Sequence, residues 1–458
     1  MPKRERAPVR NGCVCAAIAV LTVLAALASV AGAATGHGAR GAALAATPPA
    51  TVVSIEFDDA SADQYTARPL LASRNLHATF FVNSGLLSGA YGRMTLRQVQ
   101  GLASDGNEIG GHTVLHQHLL GASGSSRDEA MREICNDRAN LLHAGFRPTD
   151  LAYPFGEFDG TVESLARRCG YNSGRTDSGA ASPSVSSDCL GESIPPADSY
   201  ATRGIESVGS KMSPKDVEAV VTQAQQHGCG WVQILFHHIC DRCNVYSMTA
   251  ADFASLLDWL VAQRSQNITV KTVHEVIGGP VRPAVTGPSP ANPRGRNLLR
   301  NPSFEQGLNG DGGPACWDRL AFGSETSTFR RTTDAHSGTY AERLDVTSYA
   351  SGNPELVSHQ DLGQCAPTVR PGHTYTVSAH YKSTAPARFF VYRRDRIGEW
   401  TWWIGPAVQA SSSWSHASLT TPRVPSGTTA ISVGLSLAHT GSLTSDDYSV
   451  VDSGTARR

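Results

Sequence analysis

The sequence of 458 residues has little charge, no low-complexity bias and no long apolar run after its first 34 residues. Only 17% of the residues are charged and the formal net charge is -1, so no excess of positive charge is available to bind nucleic acid. The 44 glycines and 25 prolines make up about 15% of the chain, below the roughly 25–30% typical of low-complexity sequence. We therefore expect a largely folded protein with no nucleic acid partner.

The first 34 residues predict a secretory signal peptide. Basic residues within 3–10 precede an apolar segment, Val14–Ala31, and small residues follow at 31–33. An uncleaved membrane anchor is the alternative, because an apolar run of roughly 18 residues reaches the lower limit for spanning a bilayer. Cys13 and Cys15 precede the apolar run, which disfavours a lipoprotein anchor. We expect cleavage, export to the extracellular space and no membrane span in the mature protein.

The remaining eight cysteines are an even number, as expected for disulfides in an exported protein. Spacing does not decide how most of them connect. We predict four pairs, which are Cys135–Cys169, Cys189–Cys229, Cys240–Cys243 and Cys316–Cys365. The spacing of Cys240 and Cys243 also resembles half of a zinc site, but no second pair accompanies it, so we favour a disulfide there.

The pattern along the chain predicts two folded domains. Residues 35–50 are rich in Ala and Gly and predict a flexible lead-in. Over residues 51–279, short β-branched or aromatic runs alternate with helical patterns, and about seven such units predict a distorted (β/α)7-type barrel. Residues 280–296 contain five prolines and no apolar periodicity, which predicts an extended linker. Residues 297–453 have short strand-like runs broken by Gly and Pro, which predict an all-β jelly-roll sandwich.

Titratable residues lie at the C-terminal ends of the predicted barrel strands. These strands are 52–57, 78–82, 108–112, 151–155, 171–176, 232–238 and 269–273, and the predicted helices are 127–144, 214–227 and 250–263. Asp58 and Asp59 follow the first strand, His112 and His116 follow the third, and His237 ends the sixth. Because this rim carries the chemistry in barrels of parallel strands, the set predicts one catalytic site.

The residue types in this set suit a metal-dependent hydrolase. If residues 112–116 form a helical turn, both histidines lie on one face, and one aspartate completes a ligand set with open positions. Zinc is the default metal for two imidazoles and one carboxylate. Such a metal lowers the pKa of bound water to roughly 7 and polarises a carbonyl group. The second aspartate is then free to act as a general base, and a histidine from a distant strand can protonate the leaving group.

The order of these pieces resembles the polysaccharide deacetylase family, also called the NodB-homology domain, over about residues 50–275. Phe57-Asp58-Asp59 matches its first motif, which implies Asp58 as the general base and Asp59 as a metal ligand. His112-Thr-Val-Leu-His116 matches the second motif in full, which implies two metal-ligating histidines.

The late motif of that family, Leu-x-His, matches Leu235-Phe-His237 and implies His237 as the general acid. The neighbouring His118 and His238 align with no functional position. The third motif departs from the family pattern: Ala152-Tyr-Pro-Phe-Gly156 stands where Arg-Pro-Pro-Tyr-Gly is usual.

This departure removes an arginine that normally steadies the catalytic aspartate. Arg175, at the end of the next predicted strand, either supplies that cation or is an ordinary surface residue. The backbone N–H of Phe155 can still stabilise the oxyanion, because this contact does not depend on the side chain. Ala60 replaces the usual Gly, Glu56 replaces the usual Thr, and the fourth motif is not recognisable near residues 174–177. Glu56 either perturbs Asp58 or is an edge residue.

The resemblance implies hydrolysis of N-acetyl or O-acetyl groups on a polysaccharide such as chitin, peptidoglycan or xylan. A glycosidase is excluded, because adjacent aspartates cannot flank a glycosidic bond at about 5–9 Å separation. Two alternatives stay open at this point. One is a glycan-binding or cell-wall-binding protein with a decayed barrel, and the other is a metal-dependent amidase acting on a non-sugar amide.

The second domain carries five of the seven tryptophans. On a strand, Trp400 and Trp402 share one face while Trp403 points to the other, so the run cannot all be core. We predict that Trp400 and Trp402 bind carbohydrate, with core packing as the alternative. The domain also resembles a jelly-roll carbohydrate-binding module over about residues 297–452, on motifs that include Asn301-Pro-Ser-Phe-Glu305. That resemblance implies a glycan ligand and a structural calcium ion, whose ligands it does not assign.

Overall fold

The computed structural model of the protein describes residues 50–120, 125–177, 190–309 and 312–455. The predicted signal peptide and most of the lead-in lie outside these ranges. Within them, no helix combines the length and the apolar character needed to cross a membrane.

The first domain is built on a parallel sheet that curves into a half barrel. Its strands are β1 (Thr51–Phe57), β2 (Thr79–Val82), β3 (Glu108–Gly111), β4 (Asp150–Ala152), β5 (Ser173–Thr176), β6 (Thr202–Arg203), β7 (Trp231–Phe236) and β10 (Ile268–Val270), while β8 (His238–Ile239) and β9 (Ser247–Met248) form a separate pair. The order is β10-β1-β2-β3-β4-β5-β6, and β7 also pairs with β1. The predicted barrel-type α/β class is confirmed.

Helices cover this sheet. They are α1 (Ala67–Ala72), α2 (Leu96–Ser104), α3 (Arg127–His143), α4 (Gly160–Cys169), α5 (Pro214–Gln226), α6 (Ala250–Ala262) and α7 (Val273–Ile277). Helix α4 shows how the sequence sets a helix end. The Asp159 carboxylate accepts backbone N–H groups at its start, and Gly170 ends it with a φ of 95°, which favours glycine. Because the strands are parallel, their C-terminal ends meet at one open edge of the sheet.

Strand β1 lies in the middle of the sheet and is buried. It pairs with β7 along its length and with β10 and β2 on the other side. Phe57 stacks on Phe80 at 4.6 Å between ring centroids, within the largest apolar core. Because both faces of such a strand are covered, an apolar run is expected here, and Glu56 is its one charged residue.

The second domain is an antiparallel β-sandwich, as predicted. Its strands are β11 (Trp317–Leu320), β12 (Gly323–Thr332), β13 (Ala341–Gly352), β14 (Glu355–Ser358), β15 (Thr374–Ser383), β16 (Ala387–Arg394), β17 (Trp400–Ile404), β18 (Ala407–Val408), β19 (Ser411–Thr420), β20 (Ala430–Ser436) and β21 (Gly441–Gly454). One sheet has the order β11-β14-β20-β16-β17 with β18 beside β16, and the other has the order β12-β13-β21-β15-β19. Trp317, Tyr375 and Tyr448 are buried in the core between them.

Three of the four predicted disulfides are confirmed. They are Cys135–Cys169, Cys240–Cys243 and Cys316–Cys365. Because both sulfurs of the Cys240–Cys243 pair are in the disulfide, neither is a zinc ligand. The fourth prediction involves Cys189, which lies outside the described residues, while Cys229 is disulfide-bonded.

The predicted linker, residues 280–296, is irregular chain bound by hydrogen bonds to both domains. The Arg138 guanidinium donates to the carbonyl oxygens of Arg282 and Pro283 at 2.7 and 3.1 Å. On the other side, the Asn292 side-chain amide donates to the Thr368 carbonyl at 2.9 Å, and its Oδ1 accepts the Thr368 backbone N–H at 2.7 Å. These bonds fix the path of the linker between the domains.

The sandwich packs on the segment between the two motif histidines. Val114, Leu115 and Leu362 form a buried apolar cluster, and Gly398 lies so close to Val114 that an added Cβ would be 2.4 Å from its Cγ1. The Asn140 side chain donates to the Ile397 carbonyl at 2.8 Å. The second domain is therefore in contact with the second sequence motif of the first.

An ion pair near this contact predicts a pH-dependent stability. His359 Nδ1 lies 2.6 Å from Asp318 Oδ1. Burial lowers the pKa of His359, but Asp318, Asp361 and Glu129 outweigh it and raise the pKa to about 10. Since this value exceeds the unfolded value of about 6.5, the stabilisation is complete below that pH and is lost as the pH rises towards 10.

We expect this pair to contribute about 1 kcal/mol, because it is partly exposed and screened by water. Thermal unfolding of wild-type protein and His359→Gln, measured between pH 6 and pH 10, tests it. The wild type should lose more stability over that range than the variant. Parallel curves would show that the pair contributes nothing.

Candidate active site

The three predicted metal ligands converge at the open edge of the half barrel. Asp59 Oδ1 lies 3.3 Å from His116 Nε2 and 3.6 Å from His112 Nε2. One donor atom from each residue falls within 4.8 Å of the others. Donors bound at about 2.0–2.2 Å to one tetrahedral ion are about 3.4 Å apart, so the spacing suits a divalent metal.

The imidazole of His112 is oriented for this role. Its Nδ1 donates to the Ala152 carbonyl at 2.8 Å, which leaves Nε2 facing Asp59. A hydrogen bond at the second ring nitrogen is how metal-ligating histidines are usually held. Asp59 Oδ1 is buried and accepts no hydrogen bond from the described residues. A bound cation would satisfy this oxygen, so the donor set fits a metal ion.

Unusual backbone angles place these side chains. Asp59, Ala60, Thr113 and His116 have φ values of 78°, 53°, 66° and 58°, in the left-handed region. Residues other than glycine adopt this region at a cost, and such positions cluster at functional sites. Ala60 stands where glycine is usual, so its positive φ explains the family preference in physical terms.

Asp58 is buried beside Arg175. One guanidinium nitrogen, Arg175 Nη2, lies 2.6 and 2.7 Å from the two Asp58 oxygens. Burial raises the pKa of Asp58, but Arg175, followed by His112 and His237, outweighs burial and lowers the pKa. The carboxylate is therefore ionised and able to accept a proton.

The strand register explains how this arginine reaches the aspartate. Arg175 on β5 pairs with Ala152 on β4, the position at which the family usually has its arginine. The guanidinium thus reaches Asp58 from the matching position on the neighbouring strand. It is 2% exposed, so Arg175 is not an ordinary surface residue.

Glu56 lies on the other side of the same guanidinium. Its Oε2 is 2.6 Å from Arg175 Nε. Burial, opposed by Arg175 and assisted by Asp58 and Asp150, raises the pKa of Glu56 to about 8. Glu56 is thus mostly protonated at neutral pH, and it is not an edge residue, because it pairs with Thr79 and Leu235 on both sides.

His237 lies at the end of β7, with its ring 5.4 Å from that of Tyr246. Burial lowers the pKa of His237 more than Asp58 and Asp59 raise it. Its Nδ1 is buried and has no hydrogen-bond partner in the described part of the chain. The His237 ring is therefore available to a substrate, and its protonated form is a stronger acid than a free imidazolium ion.

Phe155 closes one side of the site. Its φ is 56°, and its ring is half exposed. The ring lies 4.5 Å from that of His116 and stacks on His118 at 3.9 Å. His118 also pairs with Glu157 at 2.9 Å, and His238, the other histidine without a family counterpart, pairs with Asp63 at 2.7 Å.

Several positioning residues are absent from the sequence predictions. The Asp137 carboxylate on α3 accepts the backbone N–H of His112 at 3.1 Å. The Gln64 side chain donates to the backbone carbonyls of both Asp58 and His237. Arg93 donates to the Asp59 carbonyl and lies 3.8 Å from its carboxylate. These residues come from helices or loops, where a single polar residue has no signal of its own in the sequence.

The predicted carbohydrate-binding tryptophans occupy different surroundings. Trp402 is 53% exposed on β17. Trp400 is half buried, packs against the Val114 and Leu362 cluster, and lies 5.7 Å from the Arg394 guanidinium. Of the two, Trp402 is the more exposed, as stacking on a sugar requires.

The sandwich also brings together donors that bear on the calcium prediction. His336, His380 and Asp447 place one donor atom each within 4.8 Å of one another. Calcium prefers oxygen donors, and two imidazoles do not suit it. The calcium ion stays a prediction without assigned ligands.

Comparison with known proteins gives a family match within the first domain. Residues 45–174 match the sequence model of the polysaccharide deacetylase family. A search of curated proteins gives no match. Among solved structures, the Streptococcus pyogenes deacetylase PplD in complex with acetate is similar, with 25% identity, coverage of 37% of this chain and 69% of that chain, and a TM-score of 0.31.

Two further solved structures are similar to parts of the chain. The family 4 carbohydrate esterase from Streptomyces lividans has 17% identity, coverage of 52% of this chain and 100% of that chain, and a TM-score of 0.31. The CBM22-1 xylan-binding domain of Paenibacillus barcinonensis Xyn10C has 20% identity, coverage of 33% and 90%, and a TM-score of 0.24.

Proposed function

We propose that this protein is an exported, metal-dependent polysaccharide deacetylase, because residues 45–174 match the sequence model of that family. It hydrolyses N-acetyl or O-acetyl groups of a glycan polymer and releases acetate. The observation that carries this proposal is the convergence of the Asp59, His112 and His116 donors beside the Asp58–Arg175 pair.

Asp59, His112 and His116 would hold a divalent cation, with zinc as the default for this donor set. When bound, the cation polarises the acetyl carbonyl and lowers the pKa of water. The protein contributes the rigid frame: the Ala152 carbonyl fixes the His112 ring, and Arg93 fixes the Asp59 backbone.

The other side chains move protons and stabilise charge. The Asp58 carboxylate takes a proton from the attacking water, and Arg175 keeps that carboxylate ionised between turnovers. His237 delivers a proton to the departing amine or hydroxyl group, which burial favours by making the imidazolium more acidic. The Phe155 backbone N–H donates to the oxyanion that forms on the acetyl carbon.

The disulfide bonds of the protein support export. Three disulfides are present in the described residues, and such bonds persist in oxidising compartments. The predicted signal peptide at 1–34 agrees with this destination. The exposed Trp402 supports a glycan as the ligand of the second domain.

Acetate release from chitin oligomers, peptidoglycan and acetylated xylan tests the proposal. We expect purified mature protein to deacetylate at least one of the three. Activity restricted to a soluble non-sugar amide would identify an amidase. Binding to a polymer without acetate release under any metal would identify a glycan-binding protein with a decayed barrel.

Metal removal gives a separate prediction. We expect a chelator to abolish acetate release and added Zn²⁺ to restore it. His116→Ala should bind Zn²⁺ about 100-fold more weakly than wild type, because a direct ligand is lost. His118→Ala, two residues away and outside the donor set, should keep the wild-type zinc affinity.

Isothermal titration calorimetry of metal-free protein measures both affinities. Equal zinc binding by His116→Ala and His118→Ala would contradict the assignment of the donor set. Circular dichroism of each variant shows whether the fold is retained.

A further inference from the structure

Tyr91 projects from the first domain in an unusual way. Its side chain is 88% exposed, and its φ is 52°, between Gly89 and Gly92, whose φ values are also positive. A left-handed tyrosine costs free energy, and the chain gains no core burial from this ring. The loop therefore presents an aromatic face to the solvent at some cost in stability.

The second domain places further aromatic rings next to Tyr91. The Phe322 ring, which is half exposed, lies 6.4 Å from the Tyr91 ring. Tyr392 on β16 donates a hydrogen bond to Glu355, and the strand partner of Glu355, Leu320, lies two residues before Phe322. Trp402 on β17 pairs with Tyr392 across the strands. We call these four residues, Tyr91, Phe322, Tyr392 and Trp402, the aromatic surface.

Polar groups with unused hydrogen-bonding capacity lie beside the aromatic surface. Tyr392 donates to Glu355 Oε1 at 2.7 Å. Glu355 Oε2 and the hydroxyl of Ser436, its neighbour on β20, are buried and have no partner in the described ranges. The hydrogen bond to Glu355 holds the Tyr392 ring in place beside Trp402.

The aromatic surface is linked to the candidate active site. Two residues after Tyr91, Arg93 donates to the Asp59 carbonyl and lies 3.8 Å from its carboxylate. The loop that presents Tyr91 thus also contacts a predicted metal ligand. The position of the sandwich is held by the Gly398–Val114 contact and the buried cluster around Leu362.

We propose that the aromatic surface is a glycan-binding site shared by both domains, which holds the polymer on the sandwich side of the active site. It rests on the proposed function. Aromatic rings stack on the flat C–H faces of pyranose units. The ligand class is an extended chain of equatorially linked pyranoses, longer than the unit that undergoes deacetylation.

Binding can be measured without turnover in an Asp58→Asn background. Tyr91→Ala, Phe322→Ala and Trp402→Ala should each weaken binding of a chitin or xylan hexamer about tenfold in calorimetry. Tyr91→Phe keeps the ring and should bind like its parent. Leu308→Ala removes an apolar side chain of the sandwich that is as exposed as Trp402, and it serves as the matched control.

Kinetics in the wild-type background gives the second readout. Tyr91→Ala should raise KM for a long oligosaccharide about tenfold with kcat nearly unchanged, and should not change hydrolysis of a small soluble acetyl ester. Because all three rings are exposed, these variants should melt like wild type.

The outcomes separate this inference from the proposed function. Acetate release by wild type, with unchanged binding and KM in the three ring variants, would overturn the shared site alone. Ring-dependent hexamer binding by a protein that releases no acetate would support the site and reject the deacetylase. Neither activity nor binding would reject both.

Discussion

Asp58→Asn protein is expected to release acetate about 1000-fold more slowly than wild type, the typical contribution of a well-placed general base. Asparagine has nearly the same shape but cannot accept the proton of water. Asp59 and the two histidines are unchanged, so zinc binding should persist. The loss should therefore appear in kcat rather than in metal affinity.

Asp59→Asn is the matched comparison for this prediction. It removes a charge at the adjacent position, and we expect it to lose zinc affinity as well as activity. Acetate assays and zinc titrations of both variants separate the two roles. If Asp58→Asn lost the metal and kept its activity on reconstitution, the assignment of base and ligand would have to be exchanged.

Arg175→Met is expected to lower both activity and stability. Asp58 and Glu56 face each other across the guanidinium, and breaking a buried ion pair costs about 3–5 kcal/mol, because one charge is left without compensation. Without Arg175 the pKa of Asp58 should rise. The acidic limb of the pH–rate profile should then move to higher pH, because the ionised base is present only above its pKa.

Glu56→Gln distinguishes a positioning role from a purely structural one. Glu56 is mostly protonated at neutral pH, so the single change should cost little. Arg175→Met with Glu56→Gln should be no more stable and no more active than Arg175→Met, because the charge left without compensation is that of Asp58. Arg175→Lys should not restore wild-type kinetics, because an ammonium group lacks the planar fork that contacts two carboxyl groups. Chemical denaturation and pH–rate profiles measure these effects.

An unshifted acidic limb in Arg175→Met would contradict the positioning role. The double variant then serves as a test of stability alone. Recovery of activity in Arg175→Met with Glu56→Gln would show that the arginine only neutralises buried charge.

The ends of the parallel strands made the central residues predictable from the sequence. Asp58, His112 and His237 each follow a short apolar run, and parallel strands bring their C-terminal ends to one edge whatever their separation in the chain. The fold classes follow from similar local patterns, whereas the spacing of the cysteines left most disulfide connections open. Short periodic runs encode these fold classes, so no knowledge of packing was needed.

Contacts between distant side chains required the folded structure. The register that places Arg175 opposite Ala152, the burial that protonates Glu56, and the contact of Gly398 with Val114 depend on packing between segments far apart in the chain. Periodicity says which face of a strand is buried but not which polar group it meets. For the same reason, two tryptophans with equal spacing on one strand, Trp400 and Trp402, have different surroundings, because only one of them lies against the other domain.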